Sequence, residues 1–230
     1  MSSPLPPRLD LYGLIHKALR HELQQVSHQL GVLDVAHAPE VTATLDQLDA
    51  LLRELARHLE REDAFIHTAI AARHPEAQLS CEADHADHLR TIEALGNLAH
   101  GLRSAPEPER ANLAAELYQR FAHFVGDNLL HMHTEETVNN GLLWAAYTDA
   151  ELLALHNRLL ASIPHAEMFD VLALMARALN PHELTAVLSD IRQKSPPDAF
   201  AAVMNQVRNQ MVPNRWARVS QALSLPATQH

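Results

Sequence analysis

The stretch FAHFVGDNLLHMHTEETV, residues 121–138, decides how this chain is read. Phe121, Phe124 and Val138 recur in the three- and four-residue steps of a buried helix face. Asn128, His131 and Glu135 stand where that face calls for further apolar side chains. His131 and Glu135 are four apart, so they sit one turn from each other on the same side. A helix that turns a histidine and a carboxylate toward its core predicts something inside the fold to satisfy them.

The same pattern repeats outward from this stretch. Leu9, Tyr12, Leu19, Leu23, Val26 and Leu30 predict a first helix over 8–31, with His16 in a core slot. Leu48, Leu51, Leu55, Phe65 and Ala69 predict a second over 41–73, where His58 and Glu62 fill the gap, again four apart. Ile92, Leu95, Ala99 and Leu102 predict a third over 77–103, with Cys81, His85 and His88 inward. The fourth runs over 108–139, stopped by Asn139-Asn140-Gly141, and Pro4, Pro6 and Pro7 predict an irregular start. Four long helices on short connections predict an all-α, up-down-up-down bundle over 8–160. Beyond it, Thr148-x-x-Glu151, Asn180-Pro181-x-Glu183 and Ser195-Pro-Pro-Asp198 read as helix starts, which makes 161–230 a helical C-terminal extension.

Composition narrows the function. The 230 residues carry 18 Lys plus Arg against 28 Asp plus Glu, a net charge of −10 that repels nucleic acid. Six glycines and 4% aromatics suit helices better than sheets, and neither GxGxxG nor GxxxxGK[ST] occurs. One cysteine, Cys81, excludes an intramolecular disulfide, and the N-terminal residues do not read as a secretory leader, so the expected address is the cytoplasm. Apolar runs fall well short of the ~20 residues of a membrane span, so no membrane partner is expected. What stands out is 17 histidines, the side chain that most often serves as metal ligand or proton carrier.

In an antiparallel bundle His16, His58, Glu62, His85, His131 and Glu135 fall in one slab about two to three turns thick. Burying six unpartnered polar groups at about 1–3 kcal/mol each would consume most of a typical ~5–15 kcal/mol stability. Imidazole with carboxylate suits iron, manganese or zinc, and six groups exceed the four of a lone structural zinc, which favours two ions. His88 reads as a core or hydrogen-bonded histidine, Cys81 as a small buried residue and Asn128 as a polar core residue. His21, His28, His67, His74, His100, His123, His133, His156 and His182 lie off the stripe or outside the slab and read as solvated. Trp144 and Tyr147 read as packing for the tail.

His16, then His58-x-x-x-Glu62, then His85, then His131-x-x-x-Glu135, one set per helix, resembles the hemerythrin-like (HHE cation-binding) family of di-iron four-helix bundles. The run His131-Met-His-Thr-Glu135-Glu-Thr-Val138 is similar to the iron- and oxygen-sensing hemerythrin domains of that family. The resemblance implies two non-haem irons, oxo- or hydroxo-bridged when oxidised. It places Glu62 and Glu135 as bridges, His16 and His58 on one iron, and His85 and His131 on the other. Cys81 replaces a histidine of the oxygen carriers, and Leu59 replaces a glutamate of the sensors. This implies one iron short of a protein ligand, to be completed by His88, Cys81 or water. The function implied is binding of O2 or peroxide, or sensing of iron and oxygen, a binding or sensing role rather than catalysis. Three rivals remain. One is a ferritin-like oxidase or peroxidase, for which Glu82-x-x-His85 supplies one element but Asn128 denies the second. Another is a metal-stabilised regulatory module whose C-terminal extension meets a protein partner. The third is a zinc-filled or metal-free helical scaffold.

Overall fold

The computed structural model describes residues 8–77 and 80–224, without the side chains of 80–83. The irregular start at Pro4, Pro6 and Pro7, the Cys81 thiol and the Glu82 carboxylate therefore lie outside the described residues. Every regular element among those described is helical. The elements are α1 (Gly13–Val32), α2 (Ala38–Arg61), a π-helical segment (Glu62–His67), α3 (Thr68–Arg73), α4 (Ser80–Ser104), α5 (Glu107–Thr134), a second π segment (Glu135–Asn139) and α6 (Asn140–Ala146). Then come α7 (Asp149–Ser162), α8 (His165–Ala178), α9 (Pro181–Lys194), α10 (Pro197–Asn209) and α11 (Pro213–Ala222).

Local chemistry explains several of these boundaries. Pro39 and Pro108 sit in the first turns of α2 and α5, where a missing N–H costs nothing, beside first-turn Glu40 and Glu107 that complement the helix dipole. Thr148 and Glu151 exchange hydrogen bonds at the start of α7, and Asn180 and Glu183 form a complete capping box at α9. The start expected at Ser195 is different: Pro196 occupies the N-cap of α10 and no side chain caps it.

The long helices depart from uniform α geometry at two places, and both are glutamates. The helix through α2 and α3 widens into a π turn beginning at Glu62, and the helix through α5 and α6 does the same at Glu135. A π turn holds one residue more than the 3.6 of an α turn, so the inward face beyond it moves on by one position. After Glu62 the buried residues are Ile66, His67 and Ile70, while Phe65 and Ala69 are only half-buried. After Glu135 they are Asn139, Asn140 and Leu143, and Val138, expected inward, is 54% exposed. The expected break at Asn139-Asn140-Gly141 is instead a widened turn through which the helix continues to Ala146. Polar side chains bond carbonyls at the wide turns: Thr68 Oγ1 donates to Asp63 O at 3.0 Å, Thr137 Oγ1 to His133 O at 2.7 Å, and Asn140 Nδ2 to Glu136 O at 3.2 Å.

The chain divides into two compact units. The first comprises residues 1–12 and 22–160, the second 13–21 and 161–230, so α1 contributes to both. In the first unit α2 packs on α4 and α4 on α5. Arg103 of α4 is tied to Asp46 at 2.8 Å and Asp49 at 2.7 Å on α2. Near the π turns, Tyr12, Ile66, Ile70, Leu143 and Leu152 form a core with Trp144 and Tyr147 against it. The Trp144 indole donates to Leu9 O and the Tyr147 hydroxyl to Ala69 O, so both aromatics belong to this core. In the second unit Leu172, Leu184, Leu188, Phe200, Val207 and Val219 build a separate core, and Lys17 pairs with Glu183 at 2.7 Å.

The shifted register is testable by truncation. Ile70→Ala should cost about 2–5 kcal/mol in chemical denaturation and Val138→Ala less than about 0.5 kcal/mol. A regular α-helix through Glu135 would make Val138→Ala costly.

Candidate metal centre

All six residues picked out by the helical spacing are withdrawn from solvent. His16, Glu62, His85, His131 and Glu135 are buried, and the His58 side chain is 11% exposed. Glu62 and Glu135 open the two π turns, so each carboxylate emerges where its helix is widest.

The ligand atoms of Glu62, His85, His131 and Glu135 lie within 4.8 Å of one another, and so do those of Asp63, His67 and His85. Glu62 also faces the imidazole of His58, one turn earlier on its own helix. Its Oε1 is 3.2 Å from His58 Nε2 and its Oε2 is 3.8 Å from His85 Nε2. Glu135 has Oε1 at 3.5 Å from His85 Nε2 and Oε2 at 3.3 Å from His131 Nε2. Two donors bound at about 2.0–2.2 Å to a common ion stand at most about 4.4 Å apart. Each of these separations fits that limit.

The other candidates separate cleanly. His88 is buried and joins neither group; its ring meets the His131 ring edge-on at 4.9 Å and that of Phe124 at 5.6 Å. Asn128 donates from Nδ2 to Phe124 O at 2.8 Å, within its own helix. His67, expected in solvent, is 3% exposed and inside the centre. Its ring stacks on His85 at 4.7 Å, and its Nε2 faces Glu135 Oε1 at 3.7 Å. The π turn brings it there, because in an unbroken α-helix a residue five beyond Glu62 points away from the core. Asp63, next to Glu62, has no place in the helical pattern either: its Oδ1 lies 2.7 Å from His85 Nδ1 and 2.9 Å from His67 Nδ1. Only a wide turn gives the spacing Glu62-Asp63-x-x-x-His67 a meaning, and nothing in the helical periodicity announces one.

The electrostatics are those of a site that holds a cation or, without one, a proton. Two buried carboxylates are costly unless positive charge lies beside them. Burial opposes protonation of His85, but the surrounding Glu135, Glu62 and Asp63 outweigh it and raise its pKa above 6.5. For His131, burial dominates over the attraction of Glu135, and repulsion from His85 and His88 adds to it, so its pKa is pushed down to about 4. The two Nε2 atoms are 3.0 Å apart, so one ring donates and the other accepts. The opposite shifts make His85 the donor. A cation entering between these nitrogens would displace that proton, and the nitrogen and oxygen donors around it suit iron, manganese or zinc.

Comparison with known proteins agrees with this geometry. The family model of the hemerythrin HHE cation binding domain matches residues 9–143, more than half of the chain. F-box/LRR-repeat protein 5 of Salmo salar is 25% identical over 181 residues, covering 77% of this chain and 25% of that protein. The Mus musculus protein of the same name is 25% identical over 174 residues, covering 75% and 24%. The chain thus spans about a quarter of the length of the curated relatives it matches. With a matching family model and a buried His/Glu cluster of the kind a cation requires, the chain belongs to the hemerythrin family of HHE cation-binding domains.

Proposed function

We propose that this chain is a non-haem di-iron protein that binds O2 or a reduced-oxygen species, or senses iron and oxygen, within an up-down-up-down bundle spanning residues 8–160. The observation that carries the reading is Glu62, a buried carboxylate with one oxygen facing His58 and the other facing His85. His16 and His58 would complete one ion, and His85, His131 and Glu135 the other. A pair of irons held there would supply the electrons that O2 chemistry needs, which none of the surrounding side chains can provide.

The chain's own residues do the rest. Glu62 and Glu135 place two negative charges where two cations would sit, and burial keeps those charges from being screened by water. His85 carries the displaceable proton, and Asp63 fixes its ring through Nδ1 so that Nε2 faces inward. Burial of Leu55 and Phe124, with Phe124 against His88, supports a dry surround for the donors.

The relatives are named F-box/LRR-repeat protein, which favours a second reading in which the centre reports to a protein partner. We assign that contact to the helical extension over 161–230.

Protein purified without oxygen should contain about two irons per chain and develop a new near-ultraviolet to visible band on exposure to air. Fewer than one iron per chain, or a spectrum indifferent to air, would contradict the reading. Metal uptake should also weaken in acid. The raised pKa of His85 keeps a competing proton in place from above pH 6.5 downward, whereas His131, with its pKa near 4, stays neutral through most of that range. Titration of the metal-free protein with Fe(II) should therefore show affinity falling from pH 8 to pH 5; equal affinity at both would count against the donor set.

A further inference from the structure

We infer that His67 is an additional imidazole donor to the cation held by His85, His131 and Glu135, and that Asp63 is the positioning residue that aims it. The inference rests on the cation-pair reading above.

Three observations carry it. First, Asp63 Oδ1 meets both His67 Nδ1 at 2.9 Å and His85 Nδ1 at 2.7 Å. An ionised carboxylate only accepts, so both rings donate from Nδ1. In a His67 ring that carries its proton on Nδ1, Nε2 has its lone pair free to bind a metal. A carboxylate behind the imidazole is the arrangement that fixes metal-binding histidines in tautomer and orientation. Second, that lone pair has no other use: His67 is 3% exposed and its Nε2 is fully enclosed and makes no hydrogen bond. A buried nitrogen of this kind is destabilising until something fills it. Third, it points at the right place. Nε2 is 3.7 Å from Glu135 Oε1, within the ~4.4 Å that two donors of one ion can span. His88 differs: its ring meets those of Phe124 and His131 edge-on.

The backbone explains why the residue is available. The π turn from Glu62 to His67 turns Glu62 and a residue five positions later toward the same interior, while Asp63, its side chain 47% exposed, stays at the rim to hold the histidines from behind. One six-residue segment thereby supplies a shared carboxylate, an imidazole and the group that orients two imidazoles.

The test uses the full chain, stripped of metal and titrated without oxygen with Co(II), whose visible absorption reports its ligands. Wild type should bind two ions. His67→Ala should weaken one of the two at least about 10-fold and change the intensity of its visible bands, leaving the other unchanged. Asp63→Asn should weaken the same ion by about 10- to 100-fold, with its bands nearer those of wild type. His67→Gln, which keeps bulk and polarity, guards against a packing effect: if His67 is a ligand it behaves as His67→Ala, and if it recovers wild-type affinity and bands the inference is overturned. Two ions bound by His67→Ala with wild-type affinity and spectrum would also overturn it, while leaving the cation pair itself standing. A wild-type protein that takes up no ion would instead remove the reading on which the inference rests, and the inference with it.

Discussion

Everything in the centre follows from two carboxylates buried where water cannot reach them. Glu62 and Glu135 are 2% and 0% exposed and face imidazoles. Imidazoles neutralise them only while protonated, so the positive charge there can be exchanged for a metal. The surrounding carboxylates raise the pKa of His85 and burial lowers that of His131, across a 3.0 Å contact, which favours one proton over two between these rings. A fold that maximised stability alone would fill these positions with leucine, as it does at Leu55, Leu95 and Leu117. Keeping polar groups there is the cost of binding a cation.

The two π turns are the backbone counterpart of those carboxylates. Each begins at the glutamate of a His-x-x-x-Glu pair, and each breaks the regular helical ladder where the donors converge. Wide turns of this kind inside α-helices are frequent at functional sites. Here the widening at Glu62 brings in His67, and the widening at Glu135 buries Asn139, which donates from Nδ2 to the Tyr12 hydroxyl at 3.3 Å. The same device thus shapes the centre and ties the chain preceding α1 to the second long helix of the site.

How much of this was legible in the sequence depends on how local each signal is. The six inward polar residues could be read because a polar residue at an apolar step of the helical period is visible from a few neighbours, as at His131 and Glu135. The caps Thr148-x-x-Glu151 and Asn180-Pro181-x-Glu183 could be read for the same reason. His67 could not: its position depends on an extra residue in one turn, and a period of 3.6 sends it outward. Val138 failed in the opposite sense for the same cause. Ser195 has the composition of a cap but precedes two prolines, and the second begins the helix, so the cap position falls to Pro196. The grouping of 13–21 with 161–230 depends on contacts far apart in the chain, such as Lys17 with Glu183, which no local pattern carries.

The most direct test of the account is anomalous diffraction at the iron edge from crystals of the iron-loaded chain. Two peaks should appear, one beside His16 and His58 and one beside His85, His131 and Glu135, with Glu62 between them. A single peak, or iron only at surface carboxylates while the buried glutamates remain paired with protonated histidines, would contradict it.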